Sequence, residues 1–236
     1  KSLFKTVFII IFFSALTRLA GFLFRIYLSR KLGAESLGIY QISFSIFMVL
    51  LTIIASGLPL IASRMTAKFN AQKDKQKEYE CVTSATIIAI TLSIIISLII
   101  FALQVPLSHI FANKRCIYIL IALLPALIFS SAYCTIRGNL WGKNKYVATC
   151  SAELFEQLVR IIICIILLSG IFPNISGEIG AALSLSIACV FSCIFVLIIY
   201  LKSGGKFKKS KMYKEILKTS TPITGIRIAS SLIQPL

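Results

Sequence analysis

Glu153, Glu156, Gln157 and Arg160 recur at spacings of three, one and three in the stretch SAELFEQLVR, which puts all four on one helical face. Directly after Arg160 the chain reads IIICIILLSGIF. In a soluble protein such charges would form a solvated face. Beside an apolar run of lipid character they are costly unless they pair or face water, so they mark a functional site. A second face of this kind lies on the first apolar run, where Ser14, Arg18, Gly21 and Arg25 repeat at four, three and four. Arg18 lies on the order of 20 Å along that helix from its start, too deep for its own stem to reach water. It needs an internal partner or an aqueous cavity. Arg25 has two readings, snorkelling to the outer interface or joining Arg18 on the inner face. Planar guanidinium forks bind phosphate oxygens bidentately, so the chemistry indicated is the holding of a dense anion. Glu156 and Arg160, with the glutamate N-terminal at i,i+4, are predicted to pair, an arrangement that would also orient Arg160 in a cavity. Arg137 and Arg64 read as residues at cytoplasmic helix ends.

The elements that must position these faces are membrane helices. Of 236 residues 58% are hydrophobic and 14% charged, with a mean hydropathy of +0.92. A soluble domain carries about 25% charged residues, so the composition is that of an integral membrane protein. Runs long enough to span a bilayer are expected at about 4–28, 38–63, 82–105, 116–137, 148–172 and 179–201, with a further one starting near 216. Within the second, Ser56-Gly57-Leu58-Pro59 predicts a helix break. Pro106, Pro125 and Pro222 predict further interruptions. The chain starts at Lys1 and stops inside an apolar run at Pro235-Leu236, as expected of a piece of a longer protein.

The net charge of +17 is carried mostly by loops, which points to membrane topology and anionic headgroups rather than to nucleic acid. Lysines and arginines fill the loops at 64–80, 142–147 and 202–214, and none occurs between Phe172 and Gly180. This asymmetry predicts a cytoplasmic N-terminus. The basic stretch 202–215 reads as a connector along the membrane surface, between a six-helix bundle at 1–201 and a second bundle beginning at 216–236.

Enzymatic readings fail on inventory. One histidine, His109, and one aspartate, Asp74, cannot supply a triad or an acidic metal motif, and no phosphate-cradling glycine loop is present. No cofactor is called for. The seven cysteines contain no C-x-x-C and read as small packing residues. Trp141 and Tyr146 read as interfacial anchors.

The segments TRLAGFLFRIYLSRKLGAESLGIYQ, GLPLIASRM, RGNLWGKNKYVATCSAELFEQLVRI and LKTSTPIT resemble the stage V sporulation protein B group. That group sits beside the MurJ-type lipid II flippases and Wzx-type flippases in the multidrug/oligosaccharidyl-lipid/polysaccharide (MOP) exporter superfamily. The resemblance implies an all-α, polytopic membrane helix bundle, here the six-helix N-terminal lobe of a MATE-like two-lobe transporter plus the start of helix seven. It implies export of an undecaprenyl-pyrophosphate-linked sugar by alternating access, with the lipid-linked oligosaccharide pyrophosphate and the bilayer as partners. A coupling ion or the membrane potential is left open as the driving force. Arg18, in its Thr17-Arg18-Leu19-Ala20-Gly21-Phe22 context, matches arginines that line the cationic cavity of MurJ-type proteins, and Arg25 sits one residue farther along than the related arginine. Substrate binding is therefore expected at Arg18, Arg25, Glu153, Glu156 and Arg160. Two rivals stand beside this reading: a multidrug antiporter of the same superfamily, which should carry a carboxylate in its first helix, and a non-transporting scaffold of the envelope machinery.

Overall fold

The computed structural model describes residues 2–111, 113–169, 176–208 and 212–233, and among them every regular element is helical. The order is α1 (Ser2–Ala55), α2 (Leu58–Ala71), α3 (Lys75–Ala102), α4 (Gln104–Ile110), α5 (Arg115–Gly142), α6 (Tyr146–Leu168), α7 (Gly177–Lys202) and α8 (Tyr213–Ile233). Residues 172–175 of the external loop expected at 172–178 lie outside the described residues, as do Lys209 and Lys211 of the connector.

Helix α1 contains the first two expected spans, divided at Gly33, whose φ of 74° and ψ of 173° belong to a region open essentially to glycine. The limbs on either side fold back against one another. Phe24 and Phe44 would be roughly 30 Å apart on a straight helix, yet both rings lie against the same Arg160 guanidinium. The second break falls at Ser56-Gly57, as its sequence predicts, with Pro59 in the first turn of α2. Pro59 has no N–H, so the Ala55 carbonyl loses its helical partner there. Asp74 starts α3 by accepting a hydrogen bond from the Lys77 backbone N–H at 3.1 Å. That bond, with help from the Lys77 side chain, holds the Asp74 carboxyl below its ordinary value.

Four stretches among the described residues are long and apolar enough to cross a membrane: Thr6–Ala71, which merges α1 and α2, and then α3, α5 and α7. Helix α6 has the length, at 23 residues, but every 18-residue window in it includes Glu153, Glu156 and Arg160. The charges that keep it out of this group are those that mark it as a site.

Helix α5 lies at the centre, with α1, α2, α3, α6 and α7 all packed on it. Ile119, Leu123, Ala126 and Leu127 meet Phe24, Leu28 and Phe47 of α1 and Ala181, Ala182 and Leu185 of α7. Lipid tails are as apolar as leucine, so apolar burial alone cannot hold such helices together; small residues and interhelical hydrogen bonds must do so. Helix α7 accordingly buries Gly180, Ala181, Ala182, Ser184, Ser186 and Ala188, and the Ser186 hydroxyl donates to the Ala122 carbonyl at 2.6 Å. At Gly138 the backbones of α5 and α2 come so close that a Cβ would run into the Pro59 carbonyl. Phe4, Phe8, Phe12 and Leu19 are exposed on α1, as a lipid-facing surface requires.

The start of the connector is pinned to α3 and α7. Tyr79 donates its hydroxyl proton to the Gly204 carbonyl at 2.7 Å and Tyr200 to the Lys206 carbonyl at 2.9 Å, while the Lys208 N–H donates to the Thr83 hydroxyl at 3.0 Å. Beyond it, Ile216 of α8 is fully buried against Leu58, Ile61 and Cys81.

Candidate functional site

The polar face of α6 is shared between two neighbours. Glu153 turns to α5 and forms an ion pair with Arg137, whose guanidinium also lies 5.6 Å from the Tyr133 ring centre. Arg137 lies near the end of α5, as its sequence context predicts, but it is paired across to α6, which that context does not show. Arg160 turns to α1. Its Nη2 donates to the Tyr40 hydroxyl at 2.7 Å, and its guanidinium lies 4.9 Å from the Phe24 ring centre and 5.4 Å from that of Phe44. Its Nε is enclosed without a hydrogen-bond partner.

The expected Glu156–Arg160 ion pair is not formed. Glu156 is near enough to feel the Arg160 charge, but no ion pair within 4.0 Å joins them among the described residues, whose pairs are Asp74–Lys77, Glu178–Arg115, Glu153–Arg137 and Glu78–Lys143. The reason is visible in α1. A tyrosine oxygen and two aromatic faces draw the guanidinium off its own helix, and they hold a cation without cancelling its charge.

Arg160 opens onto a cleft of about 400 Å³ between the two limbs of α1 and α6, lined among others by Arg25, Tyr40, Gln41, Phe44 and Gln157. Two arginines therefore share one cavity, and neither has a carboxylate oxygen within 4.0 Å among the described residues. Of the residues singled out in the sequence, the structure brings Arg25, Gln157 and Arg160 together. Glu153 is engaged with Arg137, and Glu156 does not line the cleft. Arg18 is exposed on this bundle and does not line the cleft either. Tyr40 and Gln41 carry no sequence signal as site residues, because only the turn at Gly33 brings their limb beside α6.

A second cavity, of about 380 Å³, lies between α2 and α5 and is lined by Ala55, Ser56, Ser63, Arg137 and Trp141 among others. Trp141 packs edge-on against Tyr146 at 5.0 Å and faces this cavity, a setting that interfacial anchoring does not predict. The spacing of four between Arg137 and Trp141 is the signal that could have joined them.

A third charged group was not legible as such. Lys143 Nζ lies 2.6 Å from Glu78 Oε1, with side-chain exposures of 12% and 4%. Asn139 donates to the same Glu78 oxygen at 3.1 Å and to the Thr66 hydroxyl at 2.8 Å. Lys143 counts as a loop charge by sequence, and Glu78 lies hidden in the lysine-rich KDKQKEYE. This network binds α2, α3 and α5 together and has no open side.

Comparison with known proteins fits this architecture. The chain is 25% identical over 241 aligned residues to stage V sporulation protein B of Bacillus subtilis (strain 168), a match covering 97% of this chain and 46% of that protein. It spans about half the length of that relative. Among solved structures, MATE in the straight conformation superposes with a TM-score of 0.80 at 20% identity, over 97% of this chain and 53% of that one. An outward-facing multidrug resistance MATE family transporter of the MOP superfamily gives 0.77 at 19%, over 96% and 51%. A MOP superfamily transporter from Pyrococcus furiosus, described by a reversed polarity of its binding pocket that suggests a different function, gives 0.71 at 18%, over 97% and 51%. These likenesses establish the fold, an all-α multi-pass membrane bundle corresponding to about half of a MATE-like transporter. A profile of the polysaccharide biosynthesis protein family matches residues 3–236, and the chain belongs to that family.

Proposed function

We propose that the complete protein is a flippase that carries an undecaprenyl-pyrophosphate-linked sugar across the cell membrane, by alternating access between this bundle and a second one beginning near residue 216. The observation that carries this reading is the pair Arg25 and Arg160, in one cleft and without a direct carboxylate partner among the described residues. Two guanidinium groups in one cleft, neither in a direct ion pair, suit a ligand with at least two negative charges close together, and a pyrophosphate is such a ligand. Arg18, on the same face of α1 as Gly21 and Arg25, adds a third cation toward the second bundle. Each charge-assisted contact is worth about 1.5–3 kcal/mol, roughly ten- to a hundredfold in affinity. An organic cation would meet repulsion in the same cleft, which disfavours the multidrug reading. The lysine and arginine pattern supports a cytoplasmic N-terminus. Lipid II, a spore-cortex precursor and a polysaccharide repeat unit all present the required group, so the process served is cell-wall, spore-cortex or polysaccharide biosynthesis.

The test is complementation of a flippase-depleted strain by the full-length protein carrying Arg25→Ala with Arg160→Ala, with membrane abundance measured alongside. Loss of complementation at normal abundance is expected. Full complementation at normal abundance would overturn the reading, and export of organic cations by the wild type would favour the antiporter. Labelling a cysteine placed at Ser176 from outside intact cells tests the orientation, which is wrong if labelling requires permeabilisation.

A further inference from the structure

We propose that the cavity between α2 and α5 receives the sugar of the same substrate whose pyrophosphate occupies the Arg25–Arg160 cleft; this rests on the function proposed above.

Helix α6 lines the first cavity and reaches the wall of the second through one ion pair. Arg160 lines the first, and Glu153 holds Arg137 in the wall of the second. Glu153 and Arg160 are seven residues apart, roughly 10 Å along the helix axis. That is a distance one or two sugar units bridge from a pyrophosphate.

The chemistry of the second cavity differs from that of the first in the way a sugar requires. A sugar has no net charge to offset, presents hydroxyls that both donate and accept, and has C–H faces that pack on aromatic rings. In the first cleft the arginines stand without a direct counter-ion. In the second, the charge of Arg137 is offset by Glu153 outside the lining, and the Arg137 side chain is still 30% exposed, so it offers donors without a net charge. Ser63 adds a hydroxyl that makes no side-chain hydrogen bond among the described residues. Pro59 leaves the Ala55 carbonyl in this wall without its helical N–H partner, which makes it a ready acceptor. Trp141 is the chain's one tryptophan and supplies a large ring with low conformational cost. An aromatic wall with a few convergent polar groups is the usual make-up of a small-molecule site.

The test uses the full-length protein purified in detergent and two probes: undecaprenyl pyrophosphate, and the same lipid carrying a pyrophosphate-linked disaccharide. Trp141→Leu should weaken binding of the disaccharide probe about tenfold, about 1.4 kcal/mol, and leave binding of undecaprenyl pyrophosphate unchanged. Trp141→Phe, which restores a ring, should recover most of the loss. Equal weakening for both probes, or no weakening for either, would overturn the sugar subsite. Arg160→Ala should weaken both probes. If it weakens neither, the pyrophosphate reading fails on its own account, whatever Trp141→Leu does.

Discussion

Two groups of charges in this bundle face the same physical problem and solve it differently. Glu78 and Lys143 are nearly fully enclosed, and they are closed on themselves: a 2.6 Å ion pair, with Asn139 donating to the same carboxylate. Arg25 and Arg160 border an open cleft, and what holds Arg160 is a phenol and two rings rather than a carboxylate. The first group spends its charges on each other. The second is positioned but keeps its charge. Depth in the bundle is therefore a poor guide to function here, and the state of compensation is the better one.

The comparison breaks most visibly at Lys143. Lys143→Ala leaves Glu78 buried without its cation, at a cost of about 3–5 kcal/mol. We expect membrane abundance and the thermal midpoint to fall sharply. Glu78→Leu combined with Lys143→Leu should recover most of the stability, because removing both charges also removes the desolvation cost. A double variant no better than Lys143→Ala would show that the pair does more than compensate itself.

Tyr40→Phe sharpens the other side. It deletes one hydrogen bond to a charged donor and keeps the ring, so the loss is about 1.5–3 kcal/mol of Arg160 positioning. Affinity for undecaprenyl pyrophosphate should drop while the thermal midpoint changes little. A fall in stability with unchanged affinity would make Tyr40 a packing residue.

The smallest effect is expected at Asp74, a partly exposed cap one turn before Glu78 on α3; its own carboxylate belongs to neither group. Its carboxyl is held below the ordinary value of 3.8, chiefly by the Lys77 N–H, so its folded pKa is depressed. The stabilisation is then present above the unfolded value and is lost as pH falls through the folded one. Asp74→Ala should lower the thermal midpoint slightly at neutral pH and not at all in strong acid. A difference that persists in strong acid would assign the effect to something other than the charge.

Much of the fold was legible because apolar runs of lipid length have few alternatives. The Gly-x-Pro break before α2 was legible from proline's missing N–H. A turn between the spans at 4–28 and 38–63 was legible too, but not that Gly33 makes it inside an otherwise continuous helix, since that depends on its φ. The site was half legible. The spacing of Glu153, Glu156 and Arg160 gave the right face of α6, but i,i+4 geometry describes an isolated helix. It could not anticipate that Tyr40, Phe24 and Phe44 would draw Arg160 across to α1, or that Arg137 would take Glu153. Lys143 was misjudged for the same reason, since its partner Glu78 lies 65 residues away in sequence.

The most direct test of the central claim is thermal unfolding of the full-length wild type and of Arg160→Ala, each with and without undecaprenyl pyrophosphate. A ligand that binds only the folded state adds about 2.7 kcal/mol of stability at a hundred times its Kd. The wild type should show that upward shift. Arg160→Ala should unfold close to the wild-type midpoint without ligand and gain little when ligand is added. A ligand-induced shift of equal size in both proteins, or a collapse of the unliganded variant, would contradict the claim that Arg160 is a positioned, uncompensated charge kept for an anion.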